Sequence, residues 1–309
     1  MNKNIVKTNK KYTYDILKND LLFLNYEYPF FKINNIGKST LGENIIYIKL
    51  GKGNKKLFIN ASHHANEWMT SLITMMFIEK YLYLYKNNQN YKGYNIEELW
   101  NNVSLYIVPM VNPDGVNLCL KNKKIINTNL YRDIWEKYIN SLDEWKANIR
   151  GVDLNLNYPA GWKQAKINKL KKGITCPAPR DYVGPNAISE VETRNMLEFT
   201  NLIKFDMTIS LHSQGQEIYW SYLNYKIQKA YEIGKKFEKL SGYVLTKPNY
   251  YSSFAGYKDW FIEKYKKIGF TIEIGKGEEG KSLCLEKAEE VYNEMEEIFF
   301  CAIEECKYL

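Results

Sequence analysis

Residues Leu57–Trp68 read LFINASHHANEW, in which a short apolar run is followed by a polar turn. The apolar run predicts a β-strand over Leu57–Ala61, and the longer periodic segment after the turn predicts a helix over Glu67–Tyr85. A strand that leads directly into a helix is typical of an α/β sheet.

The same alternation continues along the chain. Further strands are predicted over Ile45–Leu50, Ser104–Met110, Met207–Leu211, Glu217–Trp220 and Phe270–Ile274. Further helices are predicted over Tyr14–Leu24, Ser189–Leu202, Lys226–Leu240, Tyr257–Lys266 and Leu285–Ile303. We therefore expect the α/β class, with helices on the faces of the sheet.

The composition is that of a globular protein. The chain has 309 residues, 45% of them hydrophobic, and 43 Lys+Arg against 35 Asp+Glu give a net charge of +8. These values exclude a disordered or low-complexity chain. Because the basic excess is spread out and mostly Lys, we expect a solvated surface rather than a nucleic-acid or membrane partner.

The cysteines and the N-terminus indicate an intracellular setting. Five cysteines without a CxxC pair predict reduced thiols rather than a disulfide framework. The N-terminal segment has no apolar signal-peptide core, and no stretch reaches the length of a membrane span. These features predict a cytoplasmic protein.

The chain shows no repeat and no long linker, so we expect one domain over 1–309. Within it, 1–33 is predicted to be a helical lead-in. Residues 117–180 are rich in Asn, Lys, Gly and Pro, with weak periodicity. Long excursions of this kind are often functional, so we expect 117–180 to form part of the site.

The chain has three histidines, His63, His64 and His212. His64 and Glu67 are three residues apart at a strand-to-helix junction, which is a possible half-site for a metal ion. His212 follows another predicted strand and can supply a third ligand. The spacing alone also fits a plain His–Glu pair at a strand end.

Six short motifs occur in order within the stretch from about Asn34 to about Gly280. They are HHANEW, NPDG, GVDLN, SEVET, SLHS and TIEIGKG. Together they resemble the zinc carboxypeptidase family of the carboxypeptidase A type. The resemblance implies a single domain with a central mixed, twisted β-sheet flanked by helices, and one Zn²⁺ per chain.

The resemblance also implies roles for individual residues. The zinc ligands are His64, Glu67 and His212, with His63 as a packing or hydrogen-bonding neighbour. Glu273 is the general base, and Arg150 is the candidate cation for the oxyanion. Lys146 and Arg132 are the alternatives to Arg150.

Substrate-binding positions implied by the resemblance are Asn155, Leu156, Ser213, Tyr251 and Lys258. Two of them depart from the family pattern. Leu156 stands where carboxypeptidases have an Arg that grips the terminal carboxylate, and leucine cannot make that contact. Lys258 stands where the family has an apolar or acidic pocket residue, and it favours a leaving residue that carries a carboxylate.

These departures are similar to the branch of γ-D-glutamyl-L-diamino acid endopeptidases, which cut bacterial cell-wall peptides before meso-diaminopimelate or Lys. A peptide or muropeptide substrate is therefore expected. The alternatives are an ordinary metallocarboxypeptidase, a non-catalytic binder of wall peptides and a deacylase of small acyl-amino acids. The oligomeric state and the choice between diaminopimelate and Lys stay open at this point.

Overall fold

A computed structural model describes residues 4–278 and 280–309. Residues 1–3 of the predicted lead-in lie outside the described residues. Eight strands form one mixed sheet in the order β1-β2-β4-β3-β5-β8-β6-β7. The strands are β1 Lys32–Lys38, β2 Asn44–Leu50, β3 Lys55–Ala61, β4 Val103–Val108, β5 Met207–His212, β6 Glu217–Tyr219, β7 Val244–Thr246 and β8 Ile268–Glu273.

Eleven α-helices connect and cover these strands in the described residues. They are α1 Tyr14–Glu27, α2 Trp68–Lys86, α3 Ile96–Asn102, α4 Pro113–Cys119, α5 Lys123–Ile126, α6 Arg132–Trp135, α7 Trp162–Lys171, α8 Val191–Ile203, α9 Gln228–Ser241, α10 Tyr257–Tyr265 and α11 Ala288–Lys307. The chain is thus one α/β domain with a mixed sheet, which confirms the predicted fold class.

The centre of the sheet is parallel. Strand β3 lies between β4 and β5, and β8 follows β5, all running in the same direction. Ala61 pairs with Leu211, and His212 pairs with Glu273. The carboxyl ends of β3, β5 and β8 therefore meet at one edge, where ligands bind in open α/β sheets.

Alternate residues of β3 point to opposite faces of the sheet. Leu57, Ile59 and Ala61 join a buried cluster with α2 and α11, which pack against each other. Phe58 faces the other side, where its ring lies 5.8 Å from Tyr257 of α10. Since both faces are covered, the buried part of the strand, Leu57–Ala61, is apolar except at Asn60.

The NPDG motif forms the start of helix α4 rather than a simple turn. The Asn112 side chain accepts a hydrogen bond from the backbone N–H of Gly115, and Pro113 occupies the first helical turn. Asn as N-cap followed by Pro is a favoured helix start. Asp114 in that turn accepts hydrogen bonds from Ser39 Oγ at 2.9 Å and Leu41 N at 2.7 Å, which ties α4 to the β1–β2 connection.

The segment 117–180 contains several short helices, and part of it borders the cavity described below. Helix α7 is polar and buries mainly Ala165, Asn168 and Lys169. Among the described helices, none has both the length and the apolar character needed to cross a membrane.

Candidate active site

A strand end and a short turn bring three side chains together. β3 ends at Ala61, and Ala65–Glu67 form a single 3-10 turn before helix α2. This turn places His64 and Glu67 beside His212, the last residue of β5. The three side chains are buried, and their ligand atoms lie within 4.8 Å of one another.

The contacts within this cluster are short. His64 Nδ1 lies 2.7 Å from Glu67 Oε1, and His212 Nδ1 lies 2.9 Å from Glu67 Oε2. The two Nδ1 atoms are 3.0 Å apart. Although burial raises the pKa of the Glu67 carboxyl, the two imidazoles hold it well below its usual range.

The donor set suits a zinc ion. Two imidazole nitrogens and one carboxylate are ordinary zinc ligands, and three protein ligands leave a fourth position open, as in catalytic sites. Tetrahedral zinc bonds of ~2.0–2.2 Å separate neighbouring donors by roughly 3.3–3.5 Å. The observed 3.0 Å between the two Nδ1 atoms is close to that, so a small outward movement of the rings accommodates the ion.

Asp153 orients the first of these imidazoles. Its Oδ1 lies 3.1 Å from His64 Nε2, and both residues are buried. A carboxylate that accepts from Nε2–H leaves Nδ1 free as a ligand, which fixes the ring in the metal-binding tautomer. Although burial raises the pKa of Asp153, His64 holds it far below its usual range. The GVDLN motif thus contributes this carboxylate to the site.

His63 is a neighbour of the cluster, as predicted. Its Nε2 lies 2.9 Å from the Tyr158 hydroxyl, and its ring is stacked 5.7 Å from that of His212. Burial lowers the pKa of His63 well below its usual value, so its ring is neutral. His63 therefore packs against the cluster of His64, Glu67 and His212 without belonging to it.

A cavity of about 700 Å³ lies beside this cluster and is lined by His64 and Glu67. Glu273, at the end of β8, lines this cavity and is half-buried there. Burial raises the pKa of Glu273 to about 7, against the opposing effect of His212. The structure therefore brings the predicted general base and the predicted ligands to one site.

The structure does not bring Arg150 to this cavity. Arg150 Nε lies 3.8 Å from the buried Glu190 carboxylate, its guanidinium lies over the Tyr131 ring, and its side chain is 41% exposed. Arg132 is exposed and pairs with Glu136. We correct the Arg150 expectation accordingly, because Glu190 and Tyr131 hold this side chain elsewhere.

Lys146 is the alternative that the structure favours. It lines the cavity together with Glu67, Asp153 and Glu273. Burial lowers the pKa of Lys146, but these three carboxylates raise it above its ordinary value, so the ammonium stays charged. The Lys146 and Ala147 N–H groups both donate to Pro179 O, at 2.9 and 2.8 Å, which fixes the backbone here.

The predicted substrate positions separate into two groups. Asn155, Leu156 and Ser213 line the cavity, and Asn155 Oδ1 accepts a hydrogen bond from Tyr257 N at 3.0 Å. Tyr251 does not line it: its side chain is 57% exposed and packs against Tyr250. The neighbouring Asn249 and Pro248 border the cavity instead.

Lys258 lines the cavity, but its charge has a partner. Lys258 Nζ donates to Asp259 Oδ1 at 2.5 Å and to Ser221 O at 2.8 Å. Asp259 lines the same wall, so the charge of Lys258 is paired, and the preference for a leaving residue with a carboxylate stays a prediction. Asp259, which directly follows Lys258, was not among the predicted site residues.

Four further cations border the cavity without having been predicted there: Lys169, Arg180, Lys276 and Lys281. Lys169 pairs with Asp181. Arg180 follows Pro179 and is half-buried. Its being one of four arginines in a Lys-rich chain was the only sequence signal for it.

Comparison with known proteins agrees with this geometry. Residues 19–299 match the model of the zinc carboxypeptidase family. The chain is 35% identical over 308 residues to γ-D-glutamyl-L-diamino acid endopeptidase 1 of Lysinibacillus sphaericus, covering 97% of this chain and 74% of that protein.

Solved structures share the fold. Carboxypeptidase A from Helicoverpa armigera superposes with a TM-score of 0.74 at 18% identity, covering 100% of this chain and 77% of that one. The murein-tripeptide amidase MpaA of Escherichia coli O157 gives a TM-score of 0.55 at 18% identity, covering 87% and 90%. The chain therefore belongs to the zinc carboxypeptidase family and is a metallopeptidase.

Proposed function

We propose that this metallopeptidase hydrolyses the γ-D-glutamyl bond that precedes a diamino acid in bacterial cell-wall peptides. The observation that carries the proposal is Leu156, a nearly buried residue in the cavity wall. An apolar side chain offers no clamp for a terminal carboxylate. A substrate that continues past the scissile bond is therefore tolerated, as endopeptidase activity requires.

The Lysinibacillus sphaericus relative supports this substrate class. Its name specifies a γ-D-glutamyl bond and a diamino acid, and its identity to this chain extends over nearly the whole sequence. The match thus includes the cavity-lining residues from His64 to Lys281.

The residues of the cavity can carry out amide hydrolysis. His64, Glu67 and His212 would hold one zinc ion, which when bound brings the pKa of water from ~15.7 to about 7. Glu273 accepts the proton of the attacking water and passes it to the leaving amine. Asp153 keeps His64 in the required tautomer.

Lys146 is assigned to the developing oxyanion. It is a charged, cavity-lining group beside Glu67 and Glu273, whereas Arg150 is engaged by Glu190. A preorganised donor at this position acts on charge that appears only in the transition state. The assignment departs from the arginine that we expected and is tested below.

The experiment that tests the function uses L-Ala-γ-D-Glu-meso-diaminopimelate as the free acid and as its C-terminal amide. Zinc-loaded protein should release L-Ala-D-Glu from both, and a chelator should stop both reactions. Cleavage of the acid alone would contradict the proposal, since only an exopeptidase requires a free terminus. The proposal would also be contradicted if neither the acid nor the amide were cleaved.

A second candidate is an ordinary metallocarboxypeptidase, and one observation favours it. Arg180 lines the same cavity and can bind a carboxylate through two parallel N–H groups. If Arg180 replaces the missing clamp, then Arg180→Met should abolish the preference for the free acid over the amide. The endopeptidase proposal expects no such preference in the unmodified protein.

A further inference from the structure

Arg180 is a half-buried cation of the cavity wall, and its use by a substrate rests on the function proposed above. Two lysines of the cavity are paired with carboxylates, Lys169 with Asp181 and Lys258 with Asp259. In the part of the chain that the structure describes, Arg180 forms no ion pair and no side-chain hydrogen bond. A partly desolvated charge without a partner is costly, so an anionic ligand would stabilise it.

The guanidinium of Arg180 lies against the backbone at Gly280. A Cβ at position 280 would lie only 2.9 Å from Arg180 Nη1, and Gly280 has a positive φ of 85°. Both facts favour glycine at this position. Gly280 O accepts a hydrogen bond from Asn66 Nδ2 at 3.2 Å, and Asn66 directly precedes the candidate ligand Glu67. These contacts place Arg180 beside the turn that carries the metal-binding cluster.

The backbone on both sides of Arg180 is held in place. Pro179 O accepts the N–H of Lys146 at 2.9 Å, and Tyr182 O accepts the N–H of Asp153 at 2.8 Å. Both donors belong to residues that line the cavity. Arg180 is therefore carried by a segment that is fixed to the site, which lowers the entropy cost of ordering its side chain on a ligand.

Arg180 is also close to Lys146. Burial lowers the pKa of Lys146, three carboxylates of the site raise it, and the charge of Arg180 opposes that rise. Because Lys146 is assigned to the carbonyl oxygen of the scissile bond, Arg180 beside it faces the acyl residue of the substrate. Leu156, which lies past the scissile bond in the proposed function, belongs to a different wall, since its neighbour Asn155 contacts Tyr257 of α10.

We propose that Arg180 binds the free α-carboxylate of the γ-linked D-glutamyl residue, which is the acyl residue of the proposed substrate. A glutamate that is joined through its side chain keeps this carboxylate, whereas a residue joined through its α-carboxyl has used it in the bond. A guanidinium offers two parallel N–H donors that match a carboxylate. Arg180 therefore selects a side-chain amide bond over an ordinary peptide bond.

The first test changes only the group that Arg180 binds. L-Ala-γ-D-Glu-meso-diaminopimelate is compared with the same peptide carrying D-isoglutamine, in which a carboxamide replaces the α-carboxylate. We expect kcat/KM of the zinc-loaded wild-type protein to be higher for the carboxylate peptide by roughly tenfold or more, because hydrogen bonds between charged groups are the stronger ones. Equal values for the two peptides would overturn the inference.

Variants at position 180 identify the residue that is responsible. Arg180→Met should lower kcat/KM for the carboxylate peptide to that of the carboxamide peptide and leave the carboxamide peptide nearly unchanged. Arg180→Lys keeps the charge without the paired donors, so its preference should be intermediate. Arg150→Met is the matched control and should keep the wild-type ratio, because Glu190 and Tyr131 hold Arg150 outside the cavity. An equal loss for both peptides in Arg180→Met would contradict the inference.

The same variant separates this role from a clamp on the leaving residue. If Arg180 bound a terminal carboxylate, Arg180→Met would change the ratio of kcat/KM between the free acid and the C-terminal amide of the diaminopimelate peptide. We expect that ratio to stay as in the wild type. A change in that ratio, with the preference for the α-carboxylate retained, would overturn the inference.

A binding measurement distinguishes failure of this inference from failure of the proposed function. L-Ala-D-Glu and L-Ala-D-isoglutamine, which share a free γ-carboxylate, are titrated by calorimetry into the zinc-loaded wild-type protein and into Arg180→Met. We expect Kd to be roughly tenfold lower for L-Ala-D-Glu in the wild type, and the difference to vanish in the variant. This result supports the inference even if the γ-D-glutamyl bond is not cut. Equal affinities in the wild type, or no binding of either dipeptide, would overturn it, whatever the protein hydrolyses.

Discussion

His64 Nε2 lies 3.1 Å from Asp153 Oδ1, and both groups are buried beneath the cavity. This contact links the strand-to-helix junction after β3 to the long segment between α6 and α7. It couples the orientation of a metal ligand to a residue 89 positions away in the sequence. The segment 117–180 therefore contacts the candidate metal-binding cluster as well as bordering the cavity.

The His64–Asp153 contact predicts the metal affinity of an Asp153 variant. Asp153→Asn should lower zinc affinity by about 10–100-fold, because the amide holds the imidazole less firmly in the ligand tautomer. Competition with a chromogenic chelator measures this affinity. Asp206→Asn is the matched control, since Asp206 pairs with Lys267 before the start of β5. Unchanged affinity in Asp153→Asn would refute the assigned role.

Because Lys146 rather than Arg150 is assigned to the oxyanion, substitutions of these two residues should have different effects on turnover. Lys146→Met should reduce kcat about 10²–10³-fold, the effect of losing one oxyanion donor. Lys146→Arg should recover part of that loss because the charge is retained. Arg150→Met should retain near-normal kcat, since its side chain contacts Glu190 and Tyr131. Steady-state kinetics decide between them, and a large loss in Arg150→Met alone would reverse the assignment.

The predicted roles of Glu273 and His212 imply different zinc contents for variants at these two positions. Glu273→Gln should keep its zinc and lose turnover, because Glu273 accepts a proton but is not a ligand. His212→Ala should lose both, because it removes one of three ligands. Elemental analysis of both proteins beside activity assays measures the difference. Near-full activity in Glu273→Gln would contradict its role as general base.

Asp114 predicts a pH dependence of stability that is separate from the metal site. Burial raises the pKa of Asp114 to about 7, from 3.8. Between about pH 4 and pH 7 the folded state therefore binds a proton that the unfolded state has lost. The contribution of Asp114 to stability falls as pH rises through this window, by ~1.4 kcal/mol for each tenfold change in the ionisation equilibrium.

The Asp114→Asn variant tests this dependence. It cannot ionise, so the free energy of unfolding of the wild type relative to the variant should fall between about pH 4 and pH 7. Urea unfolding of the metal-free proteins in chelator measures the difference and removes the effect of zinc binding. A difference that stays constant over this range would show that Asp114 does not titrate as described.

Most strands and long helices were predictable because they are apolar with a clear period. The β3 run and the segment that became α2 are mostly buried, so their composition reflects the core. Strand β1, with the sequence KINNIGK, is largely exposed at the sheet edge and carries no such pattern. Helix α7 is polar as well, and both were missed for the same reason.

The site was predictable where a residue type is rare and less so where it is common. Because the chain has only three histidines, the sequence narrows the choice of candidate ligands, and the structure brings His64, Glu67 and His212 together. Among many lysines and tyrosines, position along the chain could not distinguish Lys146 from Arg150 or place Tyr251. Their locations depend on distant partners, Pro179 for the Lys146 backbone and Glu190 for Arg150.

The same limit applies to Lys258. Its charge predicted a carboxylate ligand, but the neighbouring Asp259 folds back onto it at 2.5 Å. Both side chains, at the start of helix α10, line the cavity, and this depends on the folded structure rather than on the local sequence.

The most direct test of the central claim is the mass of the products from L-Ala-γ-D-Glu-meso-diaminopimelate-D-Ala incubated with the zinc-loaded protein. The proposed endopeptidase yields L-Ala-D-Glu and diaminopimelyl-D-Ala, because the wall at Leu156 lets the chain continue past the scissile bond. Release of D-Ala, with the tripeptide left intact, would identify a carboxypeptidase and contradict the account.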